Sequence, residues 1–281
     1  MQFRIALRTD VYFLVRTSDE STDKIETNLV WLIWTNHDIL ALTTKRIQGY
    51  FGKNFDAEEI GKKSQNEIGA MLNPVIEPRF GGFGKWENAP MHRVLLSLTR
   101  KRPRDLVKLF HGAAKEAYRN DRQIITTMDL RNTFEHYSGE RLQDLINEFK
   151  SELPGIEALL HGMRPTKRER KFVDMYAYNN ANLMIKLKNL MEQNRLSFTN
   201  GKPVTPKTLA EFLYKIDFIL ARKVVDDGRI VWKYYDQNRY LANQYVDYGF
   251  SWEIHPAYRW ALQPESVDSI FKQMELVSEI Q

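Results

Sequence analysis

Six histidines, His37, His92, His111, His136, His161 and His255, are the first candidates for metal binding or proton transfer. No two of them lie three or four residues apart, so no helix turn presents a His-x-x-x-His pair. Read singly, each is an ordinary surface or core histidine. The chain contains no cysteine, which excludes disulfides, thiolate zinc sites, iron–sulfur clusters and cysteine nucleophiles together. There is no Gly-x-Ser-x-Gly elbow to expose a nucleophilic serine. Asp226-Asp227 could pass for a carboxylate pair, but Asp227-Gly228 is better read as a hairpin turn that needs positive φ angles. Gly81-Gly82-Phe83-Gly84-Lys85-Trp86 fails as a phosphate loop: Trp follows the lysine where a Ser or Thr must hold magnesium, and no strand precedes it. The residues themselves therefore assign neither a catalytic residue nor a metal ligand.

The cationic side chains are the more promising chemistry. The net charge is +5 and the isoelectric point about 9.1, which makes nucleic acid a permissible partner. A basic run spans residues 164–171, including Lys167, Arg168, Arg170 and Lys171. Further along, Lys207, Lys215, Arg222, Lys223, Arg229 and Lys233 fall within a helix, helix, hairpin order that reads as a winged helix. In that reading they would face phosphates from the recognition helix and wing.

The elements that must position these groups follow from periodicity. Phe3–Leu7 reads as a strand, Val11–Val15 as a short helix, and Leu29–Trp34, continuously apolar, as a parallel strand covered on both faces. From Asn36, a plausible cap, to residue 163 the pattern is helical, with a loop excursion at 73–90 and Pro103 opening a helix. Thr127 is expected to cap a helix reaching Tyr137, with a separate stripe at Leu142–Phe149. A helix from Thr205 takes in Ile219 and Leu220, strands flank Asp227-Gly228, and Phe250–Pro256 precedes a helix from Ala257. The fold class is thus mainly α with a small β component. Domains are expected at 1–52 (the last strands of a larger core), 53–163 (a helical lid) and 164–281 (a winged helix). Six residues is the longest apolar run, against about 20 for a membrane span. No signal segment is visible either, and the expectation is a cytoplasmic protein without a membrane partner.

Three stretches in this order resemble STAND-type P-loop ATPases, the class that includes NB-ARC and KAP-like groups. Phe3–Asp10 resembles the strand ending in the sensor 1 arginine. Leu29–Trp34 with Asp38-Ile39-Leu40 and Arg46-Ile47 resembles the next strand and first lid helix. Thr99–Leu106 resembles the Gly-Arg-Pro-Arg-Asp-Leu signature of bacterial members, many of them in defence and signalling operons, with Lys101 in place of the glycine. Tyr137–Leu142 and Ile254–Tyr258 also look like those proteins. The resemblance implies a parallel P-loop sheet remnant, a helical lid and a C-terminal winged helix. It makes Arg8 the sensor 1 analogue and Arg104, with Arg102 as alternate, the lid arginine that meets the terminal phosphate.

The family's Walker A and Walker B motifs would lie upstream of Phe3. The expectation is a C-terminal half, inactive alone, that takes ATP and magnesium only when a Walker-containing half or another copy completes it. The leading functional reading is a nucleotide-dependent switch. The alternatives are a winged-helix DNA-binding regulator, which uses the basic residues above, and a non-catalytic interaction subunit.

Overall fold

Short polar residues set the helix starts. In the computed structural model, which describes residues 4–6, 29–30, 32–82, 84–172, 175–226, 230–235, 250–262, 270–271 and 274–277, Thr35 accepts from the Asp38 amide while the Asp38 carboxylate accepts from the Thr35 amide. This reciprocal box opens α1 (Asn36–Tyr50) and leaves Asn36 as its first residue rather than its cap. The same device opens α3 (Gln65–Ala70) at Ser64 and α6 (Thr127–Phe149) at Thr126. Between these lie α2 (Ala57–Gly61), the hairpin β1 (Arg79–Gly81) and β2 (Glu87–Pro90), α4 (Met91–Ser97) and α5 (Pro103–Arg119). After α6 come α7 (Ile156–Gly162), β3 (Ala177–Tyr178), α8 (Asn180–Gln193), α9 (Pro206–Lys215), β4 (Ile219–Val224), β5 (Ile230–Lys233) and β6 (Ser251–Ile254). Pro103 and Pro206 each occupy the first turn, where the missing amide proton costs nothing.

Residues Trp34–Gln281 form one compact unit, and Met1–Ile33 another. Among its described residues the larger unit has two large apolar cores and a small cluster of Leu220, Trp232 and Tyr234. The first gathers Ile39 and Leu40 of α1, Leu109 and Ala113 of α5, and the N-terminal half of α6. At its centre the rings of Phe80, Trp86, Phe134, Trp260 and Phe271 meet edge-on or tilted, with Phe134 and Trp260 centroids 4.7 Å apart. The second gathers Leu142, Leu145 and Phe149 of α6 with α7, α8, α9 and the inner faces of β4 and β6. The expected boundary near residue 164 falls inside this second core.

Both cores share α6 and the segment after β6. Leu130, Phe134 and Tyr137 face one core, while Leu142 and Leu145 face the other. Ala257 and Trp260 belong to the first, Tyr258 and Leu262 to the second, and the Ala261 amide donates to Ser138 Oγ at 2.9 Å. This explains why α6 is one 23-residue helix where the sequence suggests two. Gly139 in its middle weakens it by about 1 kcal/mol, far less than the burial on either side contributes.

The described structure is mainly α with a small β component, and its strand pairs are antiparallel. The second sheet has the order β3-β6-β4-β5, with Ala221 opposite both Lys233 and Trp252. The only parallel pairing among the described residues is a single bridge, Ile76–Ile125. The expected parallel strands are not formed there. Residues 4–6, 29–30 and 32–34 carry no strand, and Val30 and Leu32 are more than three-quarters exposed. An extended apolar run is buried only when neighbouring strands satisfy its backbone, and no described strand pairs with it. The rest of Phe3–Leu7, Trp31 and the Val11–Val15 helix lie outside the described residues.

Other boundaries shift for local reasons. The 73–90 excursion contains the β1–β2 hairpin, with Asn88 at φ 53. Asp217 at φ 55 ends α9's turn, so Ile219 and Leu220 begin β4 instead of extending the helix. Pro256–Tyr258 is a single 3₁₀ turn, capped by His255 Nδ1, rather than the start of a helix.

Candidate functional site

The segment that joins α4 to α5 turns sharply at Lys101, whose φ is 56. This is the left-handed region, favourable to glycine and costing another residue about 1 kcal/mol. The turn throws the neighbouring side chains in opposite directions. Arg100 goes inward and is fully buried, while Arg102 and Arg104 go outward at the start of α5. No side chain caps that helix start.

Inside, Asp105 in the first turn of α5 is the anionic centre. Its carboxylate accepts the Arg100 fork through Nε at 2.7 Å and Nη2 at 2.9 Å, and the Arg100 amide at 3.3 Å. Arg141 of α6 donates Nη1 to it at 3.0 Å. Arg100 Nη1 reaches the Tyr258 hydroxyl at 3.1 Å, and the Tyr137 hydroxyl donates to the Leu98 carbonyl at 2.7 Å. Burial opposes the charge on Asp105, but the Arg100 hydrogen bonds and the charges of Arg100 and Arg141 outweigh it and hold the carboxyl well below its usual range. Burial pushes the Tyr258 hydroxyl up to about 12, moderated by Arg100. Burial, helped by Arg100, pushes His255 down to about 3, so its imidazole is neutral at pH 7.

A second buried set lies on the sheet side. Glu253 of β6 accepts from Trp232 Nε1 at 2.9 Å, pairs with Arg222 at 3.1 Å, and takes a short hydrogen bond from Arg259. Arg259 Nε donates to the Ile254 carbonyl at 2.9 Å and lies over the Tyr176 ring. Tyr258 and Arg259 are adjacent, so one 3₁₀ turn links the two sets.

Outside, Asp144 of α6 is a junction. It meets Arg141 at 3.0 Å, Lys108 at 3.5 Å and Arg104 at 3.7 Å. Arg102 pairs with Glu148 at 3.4 Å. Arg104 and Arg102 are thus held by carboxylates one helix away. Asp105, which follows Arg104 directly, pairs with Arg100 and not with Arg104. Lys101 meets no carboxylate among the described residues; its ammonium lies 5.3 Å from the Tyr234 ring centroid, and burial lowers it to about 8.

The remaining sequence candidates are dispersed. Arg8 and Arg229 lie outside the described residues. Lys167, Arg168, Lys171, Lys207 and Lys223 are exposed, and Lys233 is half-buried. Arg170 Nε donates to the Pro165 carbonyl at 3.3 Å, and Arg222 is committed to Glu253. On α9 the side chains of Leu209, Ala210, Phe212, Leu213 and Tyr214 are buried, Lys215 bonds Glu152 at 2.9 Å, and Glu211 pairs with Lys202 at 2.8 Å. The helix expected to read DNA therefore presents Lys207 as its one exposed cation. Among the described residues no group of three or more His, Cys, Asp or Glu side chains is placed to hold a metal ion, and no helix is long and apolar enough to cross a membrane.

Sequence reasoning passed over Arg100, Arg141 and Tyr258, because polar side chains give no periodic signal of burial. A signal did exist. Three of the stretches noted for their resemblance, Thr99–Leu106, Tyr137–Leu142 and Ile254–Tyr258, supply the side chains Arg100, Asp105, Tyr137, Arg141 and Tyr258 of the Asp105 network.

Residues 82–146, from β2 through most of α6, match the family described as a FunZ-associated C-terminal helical domain. A transposon gamma-delta 80.3 kDa protein of Escherichia coli (strain K12) is 24% identical over an alignment of 295 residues, which takes in 97% of this chain and 37% of that protein. The chain therefore spans little more than a third of that relative's length. No solved structure matches. The allergen Alt a 2 of Alternaria alternata is 34% identical over 156 residues, 56% of this chain and 74% of the allergen. At that identity over most of the allergen's length, the chain belongs to the same family as Alt a 2.

Proposed function

We propose that the chain is the nucleotide-responsive switch part of a STAND-like P-loop ATPase, in which the basic start of α5 reads a terminal phosphate and the buried Asp105 network passes the change to the sheet. The observation that supports this reading is the convergence of three of the five family-like stretches, Thr99–Leu106, Tyr137–Leu142 and Ile254–Tyr258, on one network. The left-handed Lys101, where the family signature has glycine, agrees with it. The described donors suit a phosphate, since Lys101, Arg102 and Arg104 are cationic. In this reading the chain's part is to read charge, and a Walker-containing polypeptide would supply the metal and the phosphate cradle.

The physical route is short. Arg102 and Arg104 sit in partly exposed ion pairs worth about 0–1 kcal/mol each. Exchange for a phosphate, with stronger charge-assisted hydrogen bonds, is therefore cheap. Withdrawing Arg104 leaves Asp144 to Lys108 and Arg141, and Arg141 shares Asp105 with Arg100, which holds Tyr258. The energy comes from the differential contact with the terminal phosphate, as linkage requires.

The test is ATP binding to this chain, alone and mixed with the Walker-containing polypeptide, followed by hydrogen exchange. The expected result is binding only in the mixture, weakened about tenfold by Arg104→Ala, with altered exchange at residues 254–262 under ATP but not ADP. Asp144→Asn should keep binding and lose the exchange response. Identical exchange in ATP and ADP would discard the switch.

A further inference from the structure

A groove of about 400 Å³ runs between α1 and α5 on the first core. Thr43, Arg46 and Ile47 form one wall, and Val107, Phe110, His111 and Ala114 the other. Val75 and Ile125, joined by an amide-to-carbonyl bond of 2.9 Å, complete the lining. The groove begins at Val107, one helical turn beyond Arg104 on α5.

Three observations define what it fits. First, the surface is apolar and open: Val107 is 41% exposed, though it projects from a helix whose inner face is fully packed. Second, the open stripe outruns the cavity. Val107, His111, Ala114 and Tyr118 are all exposed and recur at i, i+4, i+7 and i+11, about 16 Å along one face of α5. On the facing helix Thr43, Arg46 and Ile47 line the other wall. A small ligand would cover one end of this track, whereas a helix would cover all of it. Third, the flanking charge is of one sign. Arg46 lines the groove, and its exposed neighbour Lys45 and Lys115 beside Ala114 meet no carboxylate among the described residues. Two copies of this face would oppose cation to cation, which disfavours self-association. A concave track also matches the ridge of a helix better than a flat lipid surface.

We infer that this groove docks an amphipathic helix of a protein partner whose apolar i, i+3/i+4, i+7 face is bordered by acidic residues. The test uses a labelled helical peptide of about 18 residues, five turns, with leucines at that spacing and glutamates on both flanks. A second peptide carries lysines in place of the glutamates. Anisotropy titrations on the full chain should show saturable binding of the acidic peptide, about tenfold tighter than the lysine peptide. Val107→Glu and Ala114→Glu, both at positions open to water, should weaken it by at least a similar factor with an unchanged circular dichroism spectrum. Arg46→Glu should reverse the preference between the peptides. Equal affinity for both peptides, or no binding of either, would overturn the inference. So would phosphatidylserine vesicles that bind in a Val107-dependent way while the peptide does not, or a dimer on light scattering that Val107→Glu abolishes.

Discussion

Replacing Asp105 by Asn tests whether the buried network holds the larger unit together. The carboxylate is fully buried and receives four hydrogen bonds, three of them from two guanidinium groups. Asparagine keeps the volume but loses the charge and replaces one acceptor oxygen with a donor. Arg100 would then stay buried beside Arg141 with no counter-ion of its own, since of these two arginines only Arg141 also pairs with Asp144. Removing one partner of a buried pair costs about 3–5 kcal/mol. At about 3 °C per kcal/mol for a unit of this size, the melting temperature should fall by about 9–15 °C. Thermal and urea melts followed by circular dichroism measure this directly. The pH dependence supplies a second check. The folded carboxyl is held below its unfolded value of about 3.9, so its contribution is present above that pH and fades as pH falls toward the depressed folded value. Wild type should lose stability below about pH 4 more steeply than Asp105→Asn. A loss under about 1 kcal/mol, with parallel acid limbs, would refute the reasoning.

Further outcomes follow from the same geometry. His255 is buried and lowered to about 3 from about 6.5, so its stabilising effect is complete above pH 6.5 and is lost as pH falls toward 3; His255→Asn should flatten urea-melt stability across that window. Arg102→Ala and Arg104→Ala, which break partly exposed pairs, should each change stability by less than about 1 kcal/mol in the same melts. Lys101→Gly relieves the left-handed backbone and a desolvated ammonium, and should leave stability unchanged or raise it by up to about 1 kcal/mol by thermal melt. Gly112 on α5 faces α6 so closely that an added Cβ would lie 2.5 Å from the Thr133 methyl; Gly112→Leu should overpack the interface and lower stability by about 1–3 kcal/mol or more in urea titration.

What the amino-acid sequence determined by itself was local. The helices over 36–50, 91–97, 103–119, 180–193 and 206–215, the start of α5 at Pro103 and the strand pair around Asp227-Gly228 follow from side-chain spacing and caps, which act within a few residues. The absence of a thiol and of a paired-histidine motif was likewise plain from composition. Tertiary structure decided the rest. It fused two apparent helices into α6, because two cores bury opposite ends of it. Leu29–Trp34 went the other way: its apolarity alone suggested a buried strand, but pairing is a relation between segments and the described residues supply no partner for it. The same holds for the site. Arg104 and Arg102 stood out by their motif and proved to be outward-facing and paired. Arg100, Asp105, Arg141 and Tyr258 gained their meaning only when a left-handed turn, a long helix and a returning 3₁₀ turn excluded water around them, and electrostatic interactions become strong only after that desolvation.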